Sequence, residues 1–325
     1  MSGVRTMRAL RQGSWGGPSD LELVEVPVPS PRDGEVLVRV GAAGVNFADV
    51  MQTLGTYDGG PRPPYLAGFE AAGEVVAGGD GRVGVGDRVI GAGSGAFAEY
   101  VVMPVNGVVP VPDGWSAEQA LGLVLNWATA LAALKPLGRI GAGETVLVQA
   151  AAGGVGQAAV KMAKHYGATV IGTASAAKLD VVRGLGADHV IDHRGGDVVA
   201  EVRRVAGCAD LVLESVGGTA FRDSLTLAKR VTGRVVVFGA AAGEAAVTNW
   251  ELVFKHQVQV MGLHIAEMAR EAPEVYADVM RELGALRDAG VYEPGEPTVF
   301  DLADGPRVLA DLAAGRTVGK LALKP

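Results

Sequence analysis

The chain has 325 residues, of which 49% are hydrophobic and 20% charged, and its formal net charge is −7. The length predicts two domains, because single cores rarely grow much beyond about 250–300 residues, and the composition is that of an ordinary globular protein. The net negative charge argues against a general surface for nucleic acid or anionic membrane, which needs a basic stripe.

Residues 1–123 are rich in short apolar segments separated by glycine and proline. The pattern predicts strands at Glu35–Val40, Gly73–Ala77, Gly86–Gly91 and Phe97–Val102. Short strands with frequent turn residues between them are typical of a small barrel-like β domain.

Residues 124–266 alternate between predicted strands and predicted helices. The strands are Thr145–Ala150, Thr169–Thr173, His189–Ile191, Asp210–Leu213, Arg234–Phe238 and Val258–Leu263. The helices between them are Val155–Tyr166, Ala176–Leu185, Asp197–Ala206 and Thr219–Lys229. This order predicts an α/β fold with a doubly wound parallel sheet. Residues 267–325 contain a predicted helix near Pro273–Asp288 and a closing β tail, which we expect to pack back onto the first domain.

Cysteine content and apolar runs bear on the cellular compartment. The single cysteine, Cys208, excludes an intrachain disulfide and favours a reducing compartment. Met1–Leu10 lacks the apolar core of a secretory signal. The longest apolar stretches, such as Leu121–Leu134, are interrupted by glycine and polar residues before reaching the about 20 residues that span a bilayer. We therefore expect a cytoplasmic protein that does not enter the membrane.

Potential zinc ligands are confined to the second half of the chain. Residues 1–164 contain neither cysteine nor histidine, and the five histidines are His165, His189, His193, His256 and His264. A four-thiolate structural zinc site is therefore impossible, and a catalytic Cys/His zinc site in the first domain is excluded too. We expect no bound metal.

A glycine-rich turn follows the first strand of the predicted parallel sheet. Thr145–Ala150 leads into Ala151, Ala152, Gly153, Gly154, Val155 and Gly156. This strand, turn and helix context is the one that a dinucleotide fingerprint requires, with Ala151 in place of the first glycine. Gly153 lets the backbone approach a pyrophosphate, Gly156 lets helix and strand pack closely, and the helix N-terminus supplies amide donors. The alternative is a glycine-rich turn that binds nothing.

The residues after the second and third strands indicate which dinucleotide is bound. NAD-selective folds place an acidic residue about 20 residues beyond the fingerprint. This chain has Ser175 and Lys178 there, and His193 and Arg194 follow the next strand. A hydroxyl and cations favour a 2′-phosphate that a carboxylate would repel, so we predict NADPH rather than NADH. The alternative makes Lys178 a solvated helix residue and Arg194 a surface charge.

Six segments in order resemble the zinc-free quinone oxidoreductases of the medium-chain dehydrogenase/reductase superfamily. They are Gly44–Asp49, Gly68–Gly73, Gly86–Val89, Ala150–Gly156, Glu214–Gly218 and Gly319–Leu321. The resemblance implies a GroES-like catalytic domain at 1–123, a Rossmann NADPH-binding domain at 124–266 and a C-terminal segment, 267–325, that returns to the catalytic domain. It also implies a homodimer formed through the edge strand Val258–Leu263.

The same resemblance assigns roles to individual positions. In zinc alcohol dehydrogenases of the superfamily, a zinc-binding cysteine stands at the position of Asn46 and a zinc-binding histidine at that of Phe69. Further residues expected to contact the cofactor are Ser215, Val216, Phe238, Gly239 and Lys320.

Hydride transfer from reduced nicotinamide depends mainly on orientation, because the cofactor carries the difficult chemistry. Without zinc, neutral groups must stabilise the developing oxyanion. The candidates are the Asn46 amide, the Tyr57 hydroxyl and the Thr129 hydroxyl. Each has a structural alternative: a helix cap for Asn46, a packing residue for Tyr57, and a hydroxyl bonded to its own helix for Thr129.

These observations predict an NADPH-dependent reductase of quinones or α,β-unsaturated carbonyls, with a small-molecule partner and no nucleic acid or membrane. Two alternatives stay open. One is an enoyl-thioester or enone reductase of a biosynthetic pathway, and the other is a non-catalytic NADPH-binding protein.

Overall fold

The computed structural model describes residues 5–325. Residues 1–4, which begin the stretch Met1–Leu10 considered above, lie outside the described residues. The chain divides into two units. The first ends at Val124 and is completed by Pro294–Pro325, and the second is Leu125–Glu293.

Strands and helices are numbered in chain order within the described residues. The strands are β1 (Thr6–Gln12), β2 (Leu21–Pro27), β3 (Glu35–Val45), β4 (Tyr65–Leu66), β5 (Glu70–Gly78), β6 (Arg88–Ala92), β7 (Tyr100–Pro104), β8 (Val108–Pro110), β9 (Thr145–Val148), β10 (Thr169–Ala174), β11 (His189–Asp192), β12 (Leu211–Glu214), β13 (Arg234–Val237), β14 (Gln259–Gly262), β15 (Thr298–Asp301) and β16 (Leu321–Lys324). The α-helices are α1 (Phe47–Thr53), α2 (Ala117–Ala120), α3 (Ala128–Ala132), α4 (Gly154–His165), α5 (Leu179–Gly184), α6 (Val198–Ala206), α7 (Gly218–Leu227), α8 (Ile265–Glu271), α9 (Pro273–Asp288) and α10 (Gly305–Ala313).

The first unit is built on two sheets. The larger has the order β15-β16-β3-β5-β6-β8, with β7 also paired to β3, and the smaller has the order β2-β1-β4. All pairs are antiparallel except β15 with β16. Register shifts between β3 and β5 bend this long pair, as bulges do in barrel-like sheets. The core of the unit includes the fully buried side chains of Leu10, Phe97, Met103 and Leu323.

The second unit is a parallel six-stranded sheet of order β11-β10-β9-β12-β13-β14 with helical crossovers. Its central strands are largely apolar because helices bury both faces of the sheet, as at Leu147, Ile171, Val212 and Val235. The strand order reverses between β9 and β12. In such sheets ligands bind at this reversal, outside the carboxyl ends of the strands.

The C-terminal segment differs from the prediction, since residues 267–325 are divided between the two units. Helix α9 has the predicted bounds Pro273–Asp288, but it packs against α3 in the second unit. Only the part from Pro294 onward joins the first unit, where β16 pairs with β3. The physical reason is that α9 buries Val279, Leu283 and Leu286 on one face.

One helical run in the described part of the chain, Ala117–Leu137, is long and apolar enough to cross a membrane by length and composition alone. Its most apolar window has a mean hydropathy of 1.4, and 67% of that window is buried within the protein. The backbone leaves the helical region at Leu121, which has ψ 139°, and at Gly122, which has φ +93°. Such a break in the backbone and such burial are typical of two consecutive helices in a protein core.

Candidate functional site

The glycine-rich turn joins β9 to α4 and is tied to the end of β10. The N–H of Ala151 donates to the carbonyl of Thr173 at 2.8 Å, and the N–H of Gly153 donates to that of Ala150 at 3.0 Å. A Cβ on Gly156 would collide with the Ala150 carbonyl and lie 2.6 Å from Ala151 Cα. Helix and turn therefore pack as closely as the sequence predicts, which only glycine permits.

The same turn leaves the helix N-terminus open. Gly153 is exposed, and the nearest heavy atom to a Cβ placed on it would be the Ala150 carbonyl oxygen at 3.4 Å. Gly154, Val155 and Gly156 form the first turn of the 12-residue helix α4, whose N–H groups have no partner within the helix. Ala152 is buried beneath the turn. This arrangement can cradle a diphosphate, so the residues present fit a dinucleotide.

The four residues predicted to select the 2′-phosphate lie after β10 and β11. Ser175 begins the turn that carries Lys178, and the N–H of His193 donates to the Ala174 carbonyl at 3.1 Å. Burial lowers the pKa of Lys178, and the positive charge of Arg194, which follows the adjacent strand β11, lowers it further. The carboxylate that ends β11, Asp192, turns back to accept from the Arg194 N–H at 3.0 Å.

The loops after β12 and β13 meet beside the reversal of the sheet. A Cβ on Gly239 would lie 2.6 Å from the Ser215 carbonyl oxygen, so these two loops touch through glycine. The buried carboxyl of Glu214 accepts from the N–H of Val216 at 2.7 Å and of Gly217 at 2.9 Å. The N–H of Phe238 donates to the carbonyl of Glu214 at 2.9 Å. These contacts bring the two loops together, as is required if both are to touch the same ligand. The residues in this cluster are Ser215, Val216, Phe238 and Gly239. Burial raises the pKa of Glu214.

In the first unit, Asn46 is fixed between a lysine and a buried glutamate. Its Oδ1 accepts from Lys320 Nζ at 2.8 Å, and its Nδ2 donates to Glu70 Oε2 at 3.0 Å and to the Gly44 carbonyl at 3.2 Å. Lys320 Nζ also pairs with Glu70 Oε2 at 2.5 Å. Because the ammonium needs an acceptor, the Asn46 oxygen must face it, and both amide hydrogens are then already engaged.

Two buried carboxyl groups here were given no role from the sequence. Glu70 is fully buried and also accepts from the Gly122 N–H at 2.7 Å. Asp49 is 2% exposed and accepts from the Asn46 N–H at 2.8 Å. Burial raises the pKa of Asp49 to about 8, and the charge of nearby Glu70 adds to that rise while Lys320 opposes it. An acidic residue inside an otherwise apolar strand, Glu70 before two alanines, is the signal that could have revealed this cluster.

A cavity of about 420 Å³ lies within the first unit. None of the side chains that line it is charged. They belong to Gln52, Tyr57, Gly59, Gly60, Pro61, Tyr65, Leu66, Gly68, Phe69, Ser94 and Gly95. Tyr57 thus lies on the wall of this cavity, together with Phe69. Aromatic faces and small residues suit a flat, neutral molecule.

The third predicted catalytic residue, Thr129, lies in the second unit. It is largely buried in α3, which packs against α4. Just before it, the Asn126 side chain lies against the first residue of α4, since a Cβ on Gly154 would be 3.1 Å from the amide carbon. Trp127 stacks on Tyr292 with ring centroids 3.8 Å apart. The indole of Trp127 thus has a stacking partner within its own unit.

Within residues 5–325 no group of three or more His, Cys, Asp or Glu side chains is arranged to hold a metal ion. The two positions that resemble zinc-ligand positions are Asn46, bonded to Lys320, and Phe69, on the cavity wall.

Comparison with known proteins identifies the family. A family model described as an alcohol dehydrogenase GroES-like domain matches residues 32–113, and one described as a zinc-binding dehydrogenase matches residues 154–283. The synaptic vesicle membrane protein VAT-1 homolog of Danio rerio is 33% identical over 98% of this chain and 70% of its own length. The chain belongs to the medium-chain dehydrogenase/reductase superfamily.

The solved structures that resemble this chain include quinone oxidoreductases and an enoyl reductase. A mycobacterial protein solved in complex with NADPH has a TM-score of 0.92 and 33% identity, covering 98% of this chain and 100% of that one. The Escherichia coli quinone oxidoreductase complexed with NADPH has a TM-score of 0.90 and 31% identity, covering 99% and 100%. The CurK enoyl reductase has a TM-score of 0.87 and 28% identity, covering 98% and 99%. The predicted GroES-like and Rossmann folds are confirmed.

Proposed function

We propose that this protein is an NADPH-dependent reductase that transfers a hydride to a quinone or an α,β-unsaturated carbonyl without zinc. The observation that carries the proposal is that Ser175 and Lys178 follow β10 while Arg194 follows the adjacent strand β11, and that the end of β10 is hydrogen-bonded to the glycine turn. Two cations and a hydroxyl match the 2′-phosphate that distinguishes NADPH from NADH. Two similar proteins were solved with NADPH, which supports the same choice.

The cofactor residues divide by the part of NADPH that they would hold. The first turn of α4, with Ala152 and Gly153 before it, would bind the diphosphate through backbone N–H groups. Ser175, Lys178, His193 and Arg194 would surround the 2′-phosphate. The loops containing Ser215, Val216, Phe238 and Gly239 would hold the nicotinamide half, and Lys320 is assigned to that end as well. Bound there, the reduced nicotinamide supplies the hydride.

The acceptor would occupy the uncharged cavity. As negative charge grows on the acceptor oxygen, a neutral hydroxyl can stabilise it. Tyr57 is assigned this task among the three lining residues that carry an O–H, the other two being Tyr65 and Ser94. Thr129 remains a candidate contact in the second unit. Asn46 contributes differently from the sequence expectation, because its amide hydrogens bind Glu70 and Gly44. We assign it to positioning Lys320 and the start of α1.

The distribution of cysteine and histidine, the usual zinc ligands, supports a reaction without zinc. Residues 1–164 hold no cysteine or histidine, so this part of the chain cannot form the Cys/His site of the zinc alcohol dehydrogenases. We therefore place no metal in the mechanism.

A second candidate is an enoyl-thioester or enone reductase of a biosynthetic pathway. It is favoured by the likeness to the CurK enoyl reductase and by 34% identity, over 94% of this chain, to 8% of the pikromycin polyketide synthase component PikAII of Streptomyces venezuelae. Both candidates would transfer a hydride from NADPH, and they differ in the chemical class of the molecule that accepts it. A non-catalytic NADPH-binding protein is the remaining alternative.

We further propose a cytoplasmic homodimer that binds small molecules and neither nucleic acid nor membrane. The net charge of −7 and the single cysteine support the location and the lack of nucleic-acid binding. The edge of β14 supports the dimer, since within residues 5–325 this strand pairs only with β13 and ends the sheet.

An acceptor panel tests the proposal. NADPH oxidation is followed with a naphthoquinone, an alkenal and a crotonyl thioester, and NADPH affinity is measured separately by fluorescence. We expect turnover with the first two acceptors. Faster turnover of the thioester than of the other two acceptors would support the second candidate. Tight NADPH binding without turnover of any acceptor would identify a non-catalytic NADPH-binding protein. Lack of affinity for both reduced pyridine nucleotides would refute the proposal.

A further inference from the structure

We propose that Trp15 is a positioning residue that holds the loop Gly55–Gly60, and with it Tyr57, against the acceptor cavity. The inference rests on the proposed function, because it assigns Tyr57 to the acceptor site. It adds a residue that packs against Gly55, at the start of that loop, and that neither motif nor family resemblance singled out.

The indole of Trp15 lies flat on the backbone of Gly55. A Cβ built on Gly55 would be 2.9 Å from Trp15 Cγ and 3.1 Å from both Cδ1 and Cδ2. Near-equal distances to three neighbouring ring atoms mean that the face of the five-membered ring covers the glycine. Gly55 also has φ +68°, so both the backbone conformation and the ring contact require glycine here.

Trp15 is 52% exposed, yet the turn that carries it is firmly held. The buried amide of Gln12 donates to the carbonyls of Ser14 at 2.7 Å and Gly17 at 2.9 Å. The N–H of Gly17 donates to the carbonyl of Thr53, the last residue of α1, at 3.1 Å. A large apolar side chain on a fixed turn therefore covers the point where the loop leaves α1.

From Gly55 the loop runs directly to the cavity wall. The N–H of Thr56 donates to the Met51 carbonyl at 3.0 Å, and the N–H of Gly60 donates to the Tyr57 carbonyl at 3.0 Å. A Cβ on Gly60 would lie 3.5 Å from Tyr57 Cβ and Cδ1, so the loop closes tightly around that side chain. Tyr57, Gly59, Gly60 and Pro61 then form one wall of the cavity. Displacing Gly55 would thus move the tyrosine.

The inference predicts a selective effect on the acceptor. In Trp15→Ala we expect the KM for the acceptor to rise about tenfold, because small misplacements of a positioning group are costly, while the KM for NADPH stays within about twofold. Trp15→Phe keeps a flat ring over Gly55 and should restore most of the loss. The matched control is Leu23→Ala, which removes another exposed apolar side chain of the first unit.

A second measurement needs no turnover. Chymotrypsin cleaves after Tyr57 when the loop is free, so limited digestion followed by mass spectrometry reports how well the loop is held. We expect faster cleavage at Tyr57 in Trp15→Ala than in the wild type, Trp15→Phe and Leu23→Ala. Unchanged cleavage with an unchanged acceptor KM would overturn the inference, and equal rises in both KM values would show general damage instead. If the wild type reduces no acceptor, the proposed function fails while the cleavage result still decides the role of Trp15.

Discussion

Two side chains, Lys178 and Arg194, are assigned to the recognition of the cofactor. They follow two adjacent strands, where the glycine turn also begins. Neighbouring like charges are unfavourable unless an anion joins them, and a 2′-phosphate is such an anion. The recognition of NADPH is therefore expected to depend on these charges.

The first prediction concerns Lys178→Ala. Removing the ammonium should raise the KM for NADPH by about tenfold or more, since a charge-assisted hydrogen bond is worth about 1.5–3 kcal/mol, and should leave the KM for NADH unchanged. Steady-state kinetics with both nucleotides check this. Lys229→Ala, which removes an exposed lysine paired with Asp210, is the control. Equal losses with both nucleotides would mean that Lys178 supports the fold and not the phosphate.

The second prediction concerns the buried carboxyl of Asp49. Its pKa is raised from 3.8 to about 8, mainly by burial. Between about pH 4 and pH 8 the unfolded chain loses this proton and the folded chain keeps it, so stability falls as the pH rises through that window, by at most about 1.4 kcal/mol per pH unit. Above the folded pKa both states are ionised and the effect levels off.

Asp49→Asn should remove this pH dependence, because the amide is neutral at every pH and can still accept from the Asn46 N–H. We expect the Tm of the variant, measured relative to that of the wild type, to rise steadily from pH 5 to pH 8. Asp33→Asn, at an exposed position, serves as the control. Parallel Tm curves for wild type and Asp49→Asn would show that Asp49 is ionised in the folded protein.

At the scale of elements, the nucleotide-binding unit was predictable from local pattern. Its central strands are apolar runs, and helices α4 and α5 are followed by Gly167 and Gly186, both with positive φ. Strand and helix periods are local properties, so β9 to β14 and α4 to α7 lie within a few residues of the predicted bounds.

Long-range pairing could not be derived in this way. The contact of Asn46 with Lys320 joins residues 274 positions apart, and it exists because β16 pairs with β3. The sequence pattern did not predict helices α8 and α10, and it indicated α1 only through Asn46 as a possible helix cap. The role of Trp15 depends likewise on where the α1 C-terminus lies, which no sequence period encodes.

The third prediction distinguishes two glycines of one turn. A methyl group on Gly156 would collide with Ala150 and Ala151, so Gly156→Ala must push α4 away from β9 and should lower the Tm by several degrees. On Gly153 a methyl group meets nothing closer than 3.4 Å, so Gly153→Ala should keep its Tm and lose NADPH affinity through contact with the diphosphate.

Thermal melting and NADPH titration of both variants check this prediction. Gly184→Ala, in a helix where a methyl group meets open space, is the control for both measurements. If Gly153→Ala bound NADPH as the wild type does, the diphosphate would not lie on this turn.

At the scale of the whole molecule, an open sheet edge and an apolar surface occur in neighbouring segments of the second unit. β14 ends the sheet with Val260 37% exposed, and the preceding π-helical segment, Glu251–His256 with its N-cap Trp250, exposes Trp250, Val253 and Phe254. Unpaired edge strands and exposed apolar groups are both unfavourable in a monomer. The proposed homodimer would cover them by pairing two copies of β14.

The fourth prediction follows from this arrangement. Val260→Lys places a charge on the edge strand at an already exposed position, so each copy should fold as before while the pairing of edges is opposed. Light scattering coupled to gel filtration should show a dimer for the wild type and a monomer for the variant, with Phe254→Asp giving the same result through loss of the apolar contact. Val85→Lys changes an equally apolar residue, 69% exposed in the first unit, and should remain dimeric. A dimer that persists in both Val260→Lys and Phe254→Asp would place the interface elsewhere. In a two-fold contact built on β14, both subunits carry the introduced charge in the interface, so each variant would bring like charges together.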